Sequence, residues 1–337
     1  MLSAISGISL VVHLLSPVSF GQPGPLLFER EEGGPIYSIN PDGSNLIKWV
    51  DGVDPVRSPD GQFTLVNYQG NMLCIPSDGG VPTTLGEGRE YTWSPDGEHV
   101  AFQRGGIIYM IGKDGSGEKE LAKDESWRPV WSPTDPNVVY YNRGAGLGVP
   151  DFYLVDVTTG ELKLVRAGTF IFEGSAPFSP EGTRLLVSDC GDESFCVKVL
   201  DLATGELTQI GFSGRGGAQR PAWSPDANYI LFETFEGAGG LFVADSGGQT
   251  VRELVPGRDE AAPSGAVWSP GGDVIAFHMR KWTAPSSIYL INVDGTGMRR
   301  LAEGSWPLWI SMPLIPLIGD SGQTLLTWGA LKYQFGP

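Results

Sequence analysis

Trp93-Ser94-Pro95-Asp96-Gly97, followed by Val100-Ala101-Phe102, reads as a strand, a tight turn and a second strand. Proline at the second turn position presets φ, and glycine closes the hairpin. The phrase recurs six times, at Ser58, Ser94, Ser132, Ser179, Ser224 and Ser269, with separations of 36, 38, 47, 45 and 45 residues. A period of that size marks a repeat architecture in which each unit is one small sheet. After Gly105-Gly106 the β-branched and aromatic run Ile107-Ile108-Tyr109-Met110-Ile111 makes a third strand. Asp114-Gly115-Ser116-Gly117 tolerates positive φ, and a short strand ending at Leu121 completes four antiparallel strands. The last unit repeats the grammar through Trp268, Phe277, Ile291, Asp294-Gly295 and Leu301.

Counting strands sets the number of units. Second strands occur seven times, the first at Leu26 and the last ending at Phe277, and third strands also occur seven times, from Ile36 to Ile288. First strands number six, because the opening unit lacks one; Pro307-Leu308-Trp309-Ile310 supplies it. A C-terminal strand that completes an N-terminal sheet removes the unpaired edges of an open array. The sequence therefore predicts an all-β, seven-bladed β-propeller in which residues 306–310 form the inner strand of the blade begun by Leu26. Six blades is the alternative if the first or last unit is vestigial.

The Trp93-to-Phe102 phrase and Ile288-Tyr289-Leu290-Ile291-Asn292 with Asp294-Gly295 closely resemble the TolB-type (WD40-like) propeller repeat. The resemblance covers residues 26–311. It implies the fold, and it leaves function wide. The same repeat builds periplasmic TolB proteins, propeller domains of prolyl-oligopeptidase-like enzymes and some polysaccharide lyases. TolB itself carries an α/β domain ahead of its propeller, whereas 25 residues precede Leu26 here.

With 48 Gly and 26 Pro among 337 residues, the chain spends heavily on turns. A formal charge of -16 opposes binding to nucleic acid, whose phosphates need a basic footprint, and to anionic lipid. The expected organisation is a signal peptide at 1–21, a propeller at 22–311 and a C-terminal extension at 312–337. Residues 5–15 are apolar, and small residues follow to Gly21, although no Lys or Arg stands before Arg30. The stretch is short for a membrane span, so a periplasmic or extracellular protein is expected, with no integral span. Cys190 and Cys196 flank a hairpin tip in the fifth unit, where a disulfide and two reduced thiols are the alternatives. Cys74 reads as a buried small hydrophobe.

Catalytic patterns are sparse. The three histidines, His13, His99 and His278, are scattered, so no histidine-rich metal site is expected, and no cofactor. Gly319-Asp320-Ser321-Gly322 reads as a turn, and no GxSxG elbow exists. Gly144-Ala145-Gly146-Leu147-Gly148 and Ser213-Gly214-Arg215-Gly216-Gly217 are loops without a following helix, and Asp189, Asp192 and Glu193 lack calcium-loop spacing. The repeated Trp93, Trp131, Trp223, Trp268 and Trp309, with Phe178, read as packing between sheets; Arg57 is the exception.

Variation at a repeated position carries more. Just before the proline or its equivalent in the first strand the units carry Asp54, Glu90, Arg128, Ser175, Arg220, Gly265 and Trp306. First strands line a propeller's axis, so these side chains converge on one channel mouth. Arginine there binds carboxylates, and Trp306 stacks on a sugar or a peptide side chain. The reading is a monomeric, non-catalytic exported scaffold for a protein or peptide, with Asp54, Glu90, Arg128, Arg220 and Trp306 as ligand-binding candidates. The alternative is a carbohydrate-directed enzyme or binding protein using the same mouth, with Asp54 and Glu90 as the acid pair.

Overall fold

Each Ser-Pro turn is fastened by its own serine. Ser94 Oγ accepts a hydrogen bond from His99 N at 2.9 Å and donates to Asp96 at 2.5 Å. Ser58 does the same with Phe63 N and Asp60, and Ser224 with Tyr229 N and Asp226. All six signature serines are at most 4% exposed, so the hydroxyl is a buried cap on a two-strand turn and not a nucleophile at a surface. In five of the six units the turn closes on a residue at positive φ, such as Gly97 at 70° and, in the unit that spells Ala, Ala227 at 60°.

The computed structural model describes residues 24–310 apart from 32, 124, 145–148, 173–176, 189–195, 211–216, 235–238, 259–260 and 282–283. The described residues form 28 strands in seven four-stranded antiparallel sheets, a seven-bladed β-propeller without helices. The inner strands of blades 2 to 7 are Val53–Arg57, Arg89–Trp93, Ser126–Trp131, Phe170–Ile171, Gln219–Trp223 and Ala261–Trp268. Blade 1 is assembled from both ends of the described chain. Its order is Ser305–Trp309, Leu26–Glu29, Ile36–Ile39, Ile47–Val50. Leu26 pairs with Trp309 and Leu27 with Leu308, and Ile310 N donates to Pro25 O at 2.9 Å. The closure read from the sequence is thus present.

Hydrophobic layers lie between blades as well as within them. Leu65 and Met72 of blade 2 pack with Trp93 and Phe102 of blade 3, and Ala276 and Leu290 of blade 7 pack with Phe28 and Trp309 of blade 1. The repeated tryptophans occupy these seams. Trp93 Nε1 donates to Val56 O and Trp268 Nε1 to Ala222 O of the preceding blade, each at 3.1 Å, whereas Trp131 bonds Pro136 O in its own hairpin. At the rim, cations of outer strands cross to the next blade's turn carbonyls: Lys119 to Val157 O, Arg252 to Asp294 O, and Arg299 to Pro41 O.

Cys74 is a buried free thiol, pushed up to about 12 by burial, which fits a packing role. Cys196 is buried. Cys190, Ser175, the acidic group Asp189, Asp192 and Glu193, most of the two glycine-rich loops, the expected signal peptide, and the extension with Gly319–Gly322 lie outside the described residues.

The closing strand buries Leu308, Trp309 and Ile310 at the seam, wholly or in part. At about 1.5–3 kcal/mol per buried large side chain, this stabilises the ring by several kcal/mol. A chain ending at residue 304 should therefore melt about 10 °C or more below the full chain. A chain ending at residue 310 retains the strand and separates its effect from that of the segment after it. Calorimetry that finds the 304 truncation melting with the full chain refutes closure as a stabilising contact.

The channel mouth as candidate functional site

One backbone distortion organises the axis. At the position singled out in the sequence, Asp54, Glu90, Arg128, Arg220 and Trp306 adopt φ of 53°, 51°, 51°, 47° and 54°, and Gly265 adopts 61°. Strand pairing slips by one residue around each of them, for example between Val53 and Val56 and between Arg89 and Thr92. These are β-bulges with a left-handed residue, the conformation in which a side chain other than glycine costs about 1–2 kcal/mol. Five described units nevertheless carry a large side chain there.

What holds the bulges is a second set of residues. Where the apolar triplet of each second strand ends, the chain places Glu29, Asn67, Gln103, Asn142, Ser188, Glu233 and His278. All but Asn67 are buried. Five of them reach the next blade. Glu29 Oε1 accepts from Asp54 N at 3.2 Å, Glu233 Oε1 from Ala266 N at 3.1 Å, and His278 Nδ1 from Trp306 N at 3.3 Å. Asn142 exchanges two bonds with Ile171, at 2.8 and 3.1 Å, and Asn67 donates to Gly88 O at 2.9 Å. Gln103 instead accepts from Arg89 Nε of its own blade. The bonds to Asp54, Ala266 and Trp306 satisfy N–H groups that the bulges remove from the sheet ladder.

Across the mouth the candidates line two cavities that share Asp54 and Val56. One, of about 230 Å³, is lined by Asp54, Glu90 and Arg128, with Tyr91, Pro129 and Phe172 among its walls. The other, of about 360 Å³, is lined by Asp54, Arg220, Gly265 and Trp306, with Glu29 and Pro55 among its walls. All five candidates therefore meet at one end of the axis. Their chemistry differs. Glu90 Oε2 accepts from Arg128 N at 2.9 Å, so this carboxylate joins neighbouring bulges. Tyr91 OH donates to Asp54 O at 2.5 Å; burial pushes its phenol well up, and the Asp54 and Glu29 charges add to that.

Around Arg220 the polar groups are continuous. Arg220 Nη1 donates to Ser264 Oγ at 2.9 Å and lies 3.6 Å from Glu233 Oε2, while its guanidinium sits 4.6 Å over the Trp306 ring. Ser264 donates to Glu233 at 3.1 Å. Burial pushes the Glu233 carboxyl up, and Arg220 and the donors from Ser264 and Ala266 oppose that shift. Trp306, 38% exposed, meets His278 edge-to-face at 5.0 Å. This stack explains the glycine in the ring, because a Cβ on Gly265 would lie 2.9 Å from both His278 Nδ1 and Trp306 Cε3. His278 was legible only as one of three scattered histidines; its signal was a polar residue in buried register, repeated in every second strand.

The family model described as TolB beta propeller domain matches residues 108–307. Among solved structures, TolB from Acinetobacter baumannii is 16% identical, with a TM-score of 0.52 over 82% of this chain and 78% of that one. The acylaminoacyl peptidase of Pyrococcus horikoshii is 15% identical, with a TM-score of 0.61 over 83% of this chain, which spans 50% of the peptidase. The β-propeller domain of the Trilobed protease from Pyrococcus furiosus, described as having an open velcro topology, is 12% identical with a TM-score of 0.60, over 81% of this chain and 88% of that one. At these identities the structures share the fold.

Burial and the Arg220 and Arg280 charges hold His278 down from 6.5 to about 3. Its stabilising contribution is present in full above pH 6.5 and is lost as pH falls from there toward 3, because the unfolded chain takes up a proton that the folded one refuses. Urea unfolding at pH 7.5 and pH 5 should show the loss, and His278→Gln, which retains an acceptor for Trp306 N, should flatten it. An equal pH dependence in the variant assigns the loss elsewhere.

Proposed function

We propose that this chain, which belongs to the TolB beta propeller domain family, is a non-catalytic exported scaffold that binds a protein or peptide partner at the channel mouth. The observation that carries this reading is the convergence of five chemically different side chains, on one repeated bulge, around two cavities that share Asp54 and Val56. A repeat fixes what the frame needs and leaves free what a ligand reads. Arg128 and Arg220 offer donors to carboxylates, Asp54 an acceptor for a cation, and Trp306 an apolar face. Against acid–base catalysis stands the use of the carboxylates: those of Glu29, Glu90 and Glu233 hold backbone N–H groups of bulges.

The remaining organisation belongs to the same proposal. Residues 1–21 act as an export signal, residues 22–311 form the propeller and 312–337 an extension, and the protein works as a monomer in the periplasm or outside the cell. A Cys190–Cys196 disulfide suits such a compartment. Peptide mapping of the exported protein without reduction should recover the two cysteines cross-linked; recovery of both as free thiols removes this support.

A second reading, carbohydrate binding at the same mouth, is favoured by the exposed Trp306 ring beside Arg220. One experiment separates the two. Capture from envelope extract by the wild-type chain and by Arg128→Ala with Arg220→Ala should yield protein partners that the variant loses, with calorimetry on the purified partner showing affinity down about tenfold or more. Unchanged affinity refutes the mouth as the protein site. Quenching of tryptophan fluorescence by neutral oligosaccharides, abolished in Trp306→Ala, would instead establish the carbohydrate reading.

A further inference from the structure

The end of the axis opposite this mouth is built from the Ser-Pro turns. A cavity of about 370 Å³ opens there between blades 5, 6, 7 and 1, walled by Phe178, Trp223, Trp268 and Trp309, with the exposed Pro225 and Pro270 at its rim. Val267 and Leu308 line both this cavity and the Arg220 side of the mouth. Among the described residues no charged side chain lines the cavity, whereas Asp54, Glu90, Arg128 and Arg220 line the mouth.

The surroundings of this cavity are acidic. The turns between third and outer strands lie beside the Ser-Pro turns, as Val293 N bonding Asp273 O and Ser246 N bonding Asn228 O require. Each of those seven turns carries an aspartate, from Asp42 in blade 1 to Asp294 in blade 7. Nearest the cavity, Glu181, Asp226 and Asp273 sit in the Ser-Pro turns of blades 5, 6 and 7. Most cations of this end are engaged: Arg184 with Glu181 at 2.7 Å and over Trp223 at 4.5 Å, Lys113 with Glu98 at 2.7 Å, and Arg252 and Arg299 with backbone carbonyls, while Arg57 at the tryptophan position of blade 2 gives Nη2 to Gly61 O. An anionic partner would be repelled here, and a wholly polar one would leave the apolar walls wet.

We infer that this end is a second docking surface, for a cationic polypeptide segment that inserts one apolar side chain among Trp223, Trp268 and Trp309 while its lysines or arginines meet the surrounding carboxylates. It shares Val267 and Leu308 with the mouth but none of the mouth's charged residues, and the acids around it contribute to the chain's charge of -16. The apolar anchor supplies affinity, and the carboxylates select the sign of the partner and speed its approach.

The probe is a fluorescein-labelled heptapeptide, one phenylalanine between two triplets of lysine, titrated with the full chain and followed by anisotropy. Saturable binding that weakens with salt is expected. Substituting Val267→Phe fills the cavity, and the triple variant Glu181→Gln, Asp226→Asn, Asp273→Asn removes charge while keeping an acceptor oxygen in each turn. Each should weaken binding about tenfold, whereas Arg128→Ala with Arg220→Ala should leave it unchanged. Wild-type affinity in both the filled and the neutralised variant overturns the proposal, as does equal binding of the glutamate counterpart. Binding that requires removal of residues 311–337 makes the occupant the chain's own segment, and a dimer that Val267→Phe dissolves makes it a second copy; either result overturns the proposal too.

Discussion

The ring depends on a hydrogen bond made where a sheet would otherwise lose one. Every described inner strand but the short Phe170–Ile171 carries a left-handed residue at the same place, and N–H groups displaced there turn toward the preceding blade. A buried polar side chain at the end of that blade's second strand meets them, as Glu29, Glu233 and His278 do, and Asn142 makes the equivalent crossing to Ile171 in the strand without the bulge. The bond is local in space and remote in sequence, spanning 25 to 33 residues in these four cases. Apolar packing alone would hold neighbouring blades together without fixing their register. A buried donor–acceptor pair fixes it, because a slip leaves both groups desolvated and unpaired, at a cost of about 1–3 kcal/mol each.

The same bond ties architecture to the mouth. A bulge turns its residue out of the ladder, so the side chain at that position is released from packing and presented to the axis. Identity is then constrained only where a neighbour intrudes, as at Gly265, whose space is taken by Trp306 and His278. Elsewhere Asp, Glu, Arg and Trp are all tolerated. The strain of a non-glycine residue at positive φ is thus concentrated on the surface with the most chemical variety, a pattern typical of functional positions.

The blade count, the closing strand and the mouth residues were legible in the chain, for a physical reason: Ser-Pro turns and β-branched strands are local features, and a period multiplies a local signal. Trp309 could be placed opposite Leu26 because it completes a phrase, without any long-range inference. The clips were less legible. Glu233 and His278 follow apolar triplets and look like strand ends entering solvent, and only the position of the next blade shows that they are buried at 1% and 2%. Their differing chemistry, two acids, two amides and a histidine among those that cross, hid a single role. The identity of the seam partners of Arg252 and Arg299 was hidden similarly, since a cation on an outer strand usually signals water and here reaches a backbone carbonyl.

Blade 1 draws its inner strand from the far end of the sequence, and this has a kinetic side. Leu26 and Trp309 are neighbours in one sheet, yet the first is synthesised long before the second. At ordinary elongation rates of about 5–20 residues per second, the strand beginning at Leu26 waits on the order of tens of seconds for its partner. Blades 2 to 7 are each continuous in sequence and can form as the chain emerges, but the ring can close only after Trp309 has appeared. Until then the nascent protein is an open arc with a bare strand edge at one end and an unmatched apolar seam at the other, the form most prone to pair with a neighbouring chain. Nascent-chain survival, more than final stability, is what this arrangement places under the care of chaperones.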